Sequence, residues 1–162
     1  MTTIAAEPSL WAPHLRPLVL SLRPRFCEAI LDGTKTVELR RTRLSAPDGT
    51  GLILYASTPV MAVLGTAVLV ERDTDTPNRI WRRYRHSLGL SRSEYDLYLA
   101  GADHATAITL AAPRRLPEPH HLAALRTEAR FQPPQSYRYL SDEDPAALRS
   151  LFNLPASRPE SV

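Results

Sequence analysis

One lysine stands in a chain that otherwise takes all its strong bases from arginine, and its neighbours are dense with chemistry-bearing groups. Gly33, Lys35, Glu38, Arg40 and Arg41 fall in a single run, Gly-Thr-Lys-Thr-Val-Glu-Leu-Arg-Arg. An ammonium can hold a phosphate or, once desolvated, act as a base. A carboxylate can accept from the exocyclic amine of a nucleobase, and a guanidinium can clamp a phosphate. Together these groups can form one wall of a polar cleft for a nucleotide-sized ligand. Lys35 and Glu38 are in addition a candidate pair for proton transfer. The ordinary alternatives are a surface lysine in a turn and a solvated Glu38–Arg40 ion pair, which contributes little.

The elements that must position these groups follow from local pattern. Residues 18–22 form a short apolar run, the pattern of a buried strand. Pro24 fits the first turn of a helix with Phe26, Ala29 and Ile30 on one face, and Gly33 supplies its left-handed stop. From Lys35 the period becomes two, with Val37 and Leu39 on one side and Glu38 and Arg40 on the other, about 7 Å apart. Lys35 has the wrong parity to join Glu38 in an ideal strand, so the two share a cleft only if Lys35 still belongs to the turn.

Further strands are expected at 51–57 and 61–71, the latter bending at Gly65, and β-prone sequence runs from 104 to 112. Thr76-Pro77 opens a helix, Ser91 to Glu94 has the form of a capping box, and a short helix lies around Leu122 and Leu125. Ser141 is expected to cap a last helix. Residues 1–16 read as a flexible arm, 17–154 as one domain and 155–162 as a tail. The order of elements predicts an α+β fold with about five to six strands closing a small β-barrel, helices packed beside it.

A second candidate wall lies at Gln135, Ser136, Tyr137 and Arg138, where an amide, a hydroxyl, an aromatic and a guanidinium share one extended stretch. Single-stranded nucleic acid is read by stacking on aromatics and by hydrogen bonds to base edges. The alternative is a barrel-closing strand with half-buried tyrosines. Tyr55 and Ser57, at the end of a strand, are candidates for the same cleft.

With 162 residues, 43% hydrophobic and 23% charged, the chain has the composition of a single globular domain. No run approaches the roughly 18 apolar residues of a membrane helix, so no membrane partner is expected. The N-terminus lacks the basic start and apolar core of a secretory signal, which makes a cytoplasmic location the expectation. A lone Cys27 excludes an internal disulfide, and the five scattered histidines give no metal-ligand spacing. No cofactor or metal is expected. A net charge of +3, with basic clusters at 23–25, 40–43 and 82–85, suits an anionic partner, although the last cluster reads equally well as a solvated face.

The segment 21–41, with Gly33, Lys35, Glu38 and Arg40 in a G-x-K-x-x-E-x-R arrangement, resembles the opening of the ASCH domain, a branch of the PUA-like superfamily. The run 55–69, the double helix ending at Gly101 and the late 133–140 segment extend the resemblance over residues 18 to about 140. It implies a small PUA-like barrel with a cleft beside its helices. It also implies RNA, single-stranded nucleic acid or a nucleotide-like small molecule as partner. One branch of the superfamily hydrolyses acylated cytidines with a lysine, a threonine and a glutamate. The lysine matches Lys35, Glu38 stands at the threonine position, and Glu71 is the candidate third residue. The resemblance therefore implies a binding module first. The alternative is a small hydrolase of acylated nucleosides or RNA that uses Lys35 and Glu38.

Overall fold

A computed structural model describes residues 10–152. Residues 1–9 of the expected arm and the expected tail at 155–162 lie outside the described residues. The described end of the arm is docked: Ala12 N–H donates to the Gly49 carbonyl at 2.9 Å, and the Trp11 ring lies 5.7 Å from Phe152.

Six strands form one curled sheet in the order β2-β5-β4-β3-β1-β6. In chain order they are β1 (Leu18–Leu22), β2 (Val37–Arg40), β3 (Gly51–Ala56), β4 (Ala62–Asp75), β5 (Ala105–His121) and β6 (Tyr137–Tyr139). Helix α1 (Pro24–Asp32) joins β1 to β2. Helices α2 (Pro77–Tyr84) and α3 (Arg92–Tyr98) lie between β4 and β5, while α4 (Leu122–Glu128) and α5 (Ala146–Arg149) flank β6. The sheet is a half-barrel: it curls without a hydrogen-bonded closure, leaving β2 and β6 as its edges.

The alternating side chains of β1 and β3 separate two cores. Leu18, Leu20, Leu52 and Leu54 pack beneath α1 with Ile30, Leu69 and Ile108, while Val19, Ile53 and Tyr55 pack with Leu122, Leu125 and Leu148. A third cluster joins Val37 and Leu39 of β2 to Ile80, Leu88, Tyr95 and Leu99. It fixes the two middle helices against the strand that carries Glu38 and Arg40.

Both long strands exceed their expected limits. β4 runs on to Asp75, because register shifts at Val63/Gly65, Thr66/Val68 and Leu69/Glu71 let one ribbon twist from one core to the next. β5 continues to His121 through Pro113, Pro117 and Pro119. β2 pairs only with Thr106 to Thr109 of β5, so beyond that point one flank of β5 has no ladder partner. Prolines are tolerated in a strand where the missing N–H would face outward. Ser141 also departs from expectation. It does not cap the last helix, whose N-cap is Pro145; its N–H donates to Asp144 at 2.7 Å.

The capping box at Ser91 and Glu94 is present, and Gly33 ends α1 in the left-handed region at φ 86°. Gly65 brings α1 against the sheet. A Cβ there would collide with Leu31 of α1 and lie 2.5 Å from the Arg114 carbonyl. Gly65→Ala is therefore expected to lower unfolding free energy by about 1–3 kcal/mol, as overpacked cores do. Urea unfolding checks this.

Candidate functional site

The turn between α1 and β2 delivers Lys35 into the protein. Its own N–H donates to the Ala29 carbonyl at 3.0 Å, and the N–H groups of Thr36 and Val37 both donate to Ser87 at 3.1 Å. Those bonds hold the turn against the α2–α3 connection. They drive the lysine inward until it is 1% exposed. The Nζ donates to the Leu88 carbonyl and lies 4.9 Å from the centroid of the Phe26 ring. Because Lys35 precedes β2, the parity problem disappears, and it lines the same cavity as Glu38 and Arg40.

Glu38 is 6% exposed. Its Oε1 accepts from the Leu39 N–H at 3.0 Å, while the buried Oε2 has no hydrogen-bond partner. Arg40 reaches across the open seam of the half-barrel. Its Nη2 donates to the Ser21 carbonyl of β1 at 2.9 Å and its Nη1 to Ser136 Oγ, just before β6, at 3.2 Å. Its Nε is buried and unpartnered. Arg41 turns the other way, donating from Nη1 to the carbonyls of Tyr98 at 3.1 Å and Ala100 at 3.4 Å.

These side chains line a cavity of about 610 Å³ in the seam, within the size range of small-molecule sites. Its lining carries four cations (Arg23, Lys35, Arg40, Arg41) and two carboxylates (Glu38, Glu94). Glu94 is already engaged, accepting from Arg25 at 2.5 Å, so α1 and α3 are tied together at the mouth. Elsewhere acids neutralise many of the arginines. Arg83 donates to Asp73 and Asp75, Arg115 to Glu28, and Arg138 to Asp144. Among the described residues, Arg23, Arg40 and Arg41 have no carboxylate within ion-pair distance. The basic cluster at 82–85 therefore does partly structural work, whereas Arg23 of the first cluster and Arg40 and Arg41 of the second line the cleft.

The second candidate stretch is divided. Gln135 lines the cavity, and Ser136 meets it through Arg40. Tyr137 is half-buried against the first core, and its hydroxyl donates to the Arg43 carbonyl at 3.4 Å. Arg138 faces away, paired with Asp144 through two bonds of 2.8 and 2.9 Å. Tyr55 lies in the second core, 6.2 Å edge-on to Phe131. Ser57 follows β3 in a turn, where its N–H donates to Leu22 at 2.8 Å. Glu71 is exposed on β4 and is not part of the cavity wall. Phe26, Leu90, Leu97 and Tyr98 line the cavity without having been anticipated. The available signal was helical spacing for Leu97 alone, which stands opposite Tyr95 and Leu99, while Tyr98, three residues after Tyr95, lies at the border of the buried face.

Among the described residues, no cluster of three or more His, Cys, Asp and Glu side chains could hold a metal ion, and no helix is long and apolar enough to cross a membrane. Burial pushes the Cys27 thiol up to about 12, which leaves it an inert core group.

A curled six-stranded sheet with helices beside it and a cleft in its seam defines a protein of the PUA-like class. Comparison with known proteins narrows the class. The ASCH domain-containing ribonuclease of Zymomonas mobilis subsp. mobilis is 38% identical over 141 residues, 86% of this chain and 94% of the relative. The crystal structure of ASCH from Zymomonas mobilis matches with a TM-score of 0.77 and 36% identity, covering 84% of this chain and 95% of that one. A serine-to-alanine variant of that protein gives 0.77 and 35%, covering 86% and 99%. No protein-family model matches the chain. The chain belongs to the ASCH domain family.

Burial lowers the Lys35 pKa from its ordinary 10.5, with Glu38 opposing the shift and Arg40 and Arg25 adding to it. Between the lowered value and 10.5 the unfolded chain binds more protons than the folded one, so stability contributed by this group rises with pH. In Lys35→Met that contribution is gone. The difference in melting temperature, wild type minus variant, is expected to grow as pH rises toward about 10; a flat difference would contradict the depressed pKa.

Proposed function

We propose that the cleft binds RNA, with one base set edge-on against Glu38 and Arg40. The observation that carries this reading is a pair of buried, unpartnered atoms, the Glu38 Oε2 acceptor and the Arg40 Nε donor, that belong to two residues of the cavity wall. Buried polar atoms are costly unless something satisfies them. A base edge presents donors and acceptors side by side and answers that need. Arg23 and Arg41, unopposed by acids, suit the phosphates of the same strand. The name of the Zymomonas mobilis relative, a ribonuclease, favours RNA over a free nucleotide-like molecule.

Binding of a fluorescent single-stranded RNA, followed by anisotropy, tests this. Affinity is expected to fall steeply with salt, and Arg23→Ala to flatten that dependence. Glu38→Gln is expected to weaken binding by about tenfold, roughly 1.4 kcal/mol. Absence of binding at low salt, or the same affinity in both variants, would overturn the proposal.

A second reading, cleavage of the bound strand, is favoured by the presence of Lys35 and Glu38 in one cavity. Glu38 takes the 2′-hydroxyl proton as the O2′–P bond forms. The Lys35 ammonium, made more acidic by burial, protonates the departing 5′ oxygen as the P–O5′ bond breaks. The product is a 2′,3′-cyclic phosphate and a new 5′-hydroxyl end. Gel analysis of end-labelled RNA is expected to show cleavage by the wild type and at least a hundredfold less by Glu38→Gln, in the range typical of general acid–base groups. RNA left intact by the wild type over hours would leave the binding role alone.

A further inference from the structure

The cavity has two ends of different character. Its wall near β2 is polar, with Lys35 and Glu38 almost fully buried. Its lip on α3 is apolar and open, with Leu97 79% and Tyr98 39% exposed, joined by half-buried Leu90. An exposed tyrosine alone would need no explanation. Its setting differs, because the Arg41 guanidinium is fastened to the Tyr98 main chain by Nη1. The same Nη1 also donates to the Ala100 carbonyl; among the described residues these are the only side-chain bonds of Arg41, so its Nε and Nη2 are left for a ligand. Phe26, the other aromatic of the lining, already carries two cations, Arg25 at 4.6 Å and Lys35 at 4.9 Å from its ring centroid. Tyr98 is therefore the aromatic of the cavity still available for stacking.

We infer that the site is built for a dinucleotide step of a single strand and not for an isolated nucleotide. One base enters the polar end, its neighbour stacks on Tyr98, and Arg41 holds the phosphate that links them. This rests on the RNA-binding reading above and adds a second subsite to it. The chemistry at each part is separable. The inner subsite depends on hydrogen bonds, the outer on a π face that any base can supply, and the link on charge. The cavity, about 610 Å³ with the lip included, has the size of a small-molecule site and runs from the polar end to Tyr98. Sequence preference should accordingly reside at the inner base, while the outer position tolerates all four.

The experiment compares ligands by calorimetry: a nucleoside 3′-monophosphate, the corresponding dinucleotide, the dinucleotide with its outer base removed, and one with a neutral methylphosphonate link. To prevent turnover, the inner sugar carries a 2′-deoxy or 2′-methoxy group. The dinucleotide is expected to bind about tenfold or more tightly than the monophosphate. Removing the outer base or neutralising the link should each abolish most of that gain. Tyr98→Ala should bring the dinucleotide close to the monophosphate, Tyr98→Phe should retain the gain, and neither should change affinity for the monophosphate. Matched melting curves would confirm that both variants fold. Equal binding of mono- and dinucleotide, or a Tyr98→Ala variant that keeps the full gain, would overturn the second subsite while leaving the inner base site standing. Failure of every ligand to bind would overturn both.

Discussion

Burying an ammonium is the constraint around which this molecule is arranged. Lys35 is 1% exposed, and a charge that deep is strongly unfavourable unless it is matched by local dipoles and opposite charge. Three different elements provide the match: the Leu88 carbonyl before α3, the Phe26 face on α1 and the Glu38 carboxylate on β2. The connection between α2 and α3, the helix before the turn and the edge strand after it are thus held in one relation. That relation also defines the cavity. Buried charged groups concentrate at functional sites, and the unpartnered Oε2 of Glu38 is a second such group in the same cavity.

Arg40 completes the arrangement from the opposite side. A sheet that curls without closing needs something to keep its edges in register across the gap, and the planar fork of one guanidinium does this by touching β1 and the approach to β6 together. The open seam is thereby bridged at the floor of the cleft. Lys35, Glu38 and Arg40, which line the cleft, stand on a turn and a strand tied into the sheet, which favours precise placement over adaptability.

Much of this was legible in the chain. The helix stop at Gly33, the change to period two and the capping box at Ser91 all carry short-range signals, and the structure contains each of them. The cleft segment was visible because its polar groups interrupt an otherwise apolar pattern. Tyr55 was harder to place, since β3 is buried on both faces and offers no alternation to say which side a residue takes. Arg138 was misplaced because its partner, Asp144, lies beyond a turn that sequence had read as a helix cap. The length of β5 was hidden by three prolines, which ordinarily stop a strand and here lie where the ladder has already ended on one flank.

Those same prolines bear on how the protein behaves in a crowded solution. A strand flank with free N–H and C=O groups is a template on which another chain can add. From Pro113 to Pro119 the unpaired flank of β5 is interrupted by residues with no N–H to offer, and Arg114 and Arg115 are exposed beside them. Imino acids and exposed charged side chains together make that long ribbon a poor seed for strand addition. The longest strand of the molecule can therefore stand partly uncovered without becoming a route to intermolecular sheet growth.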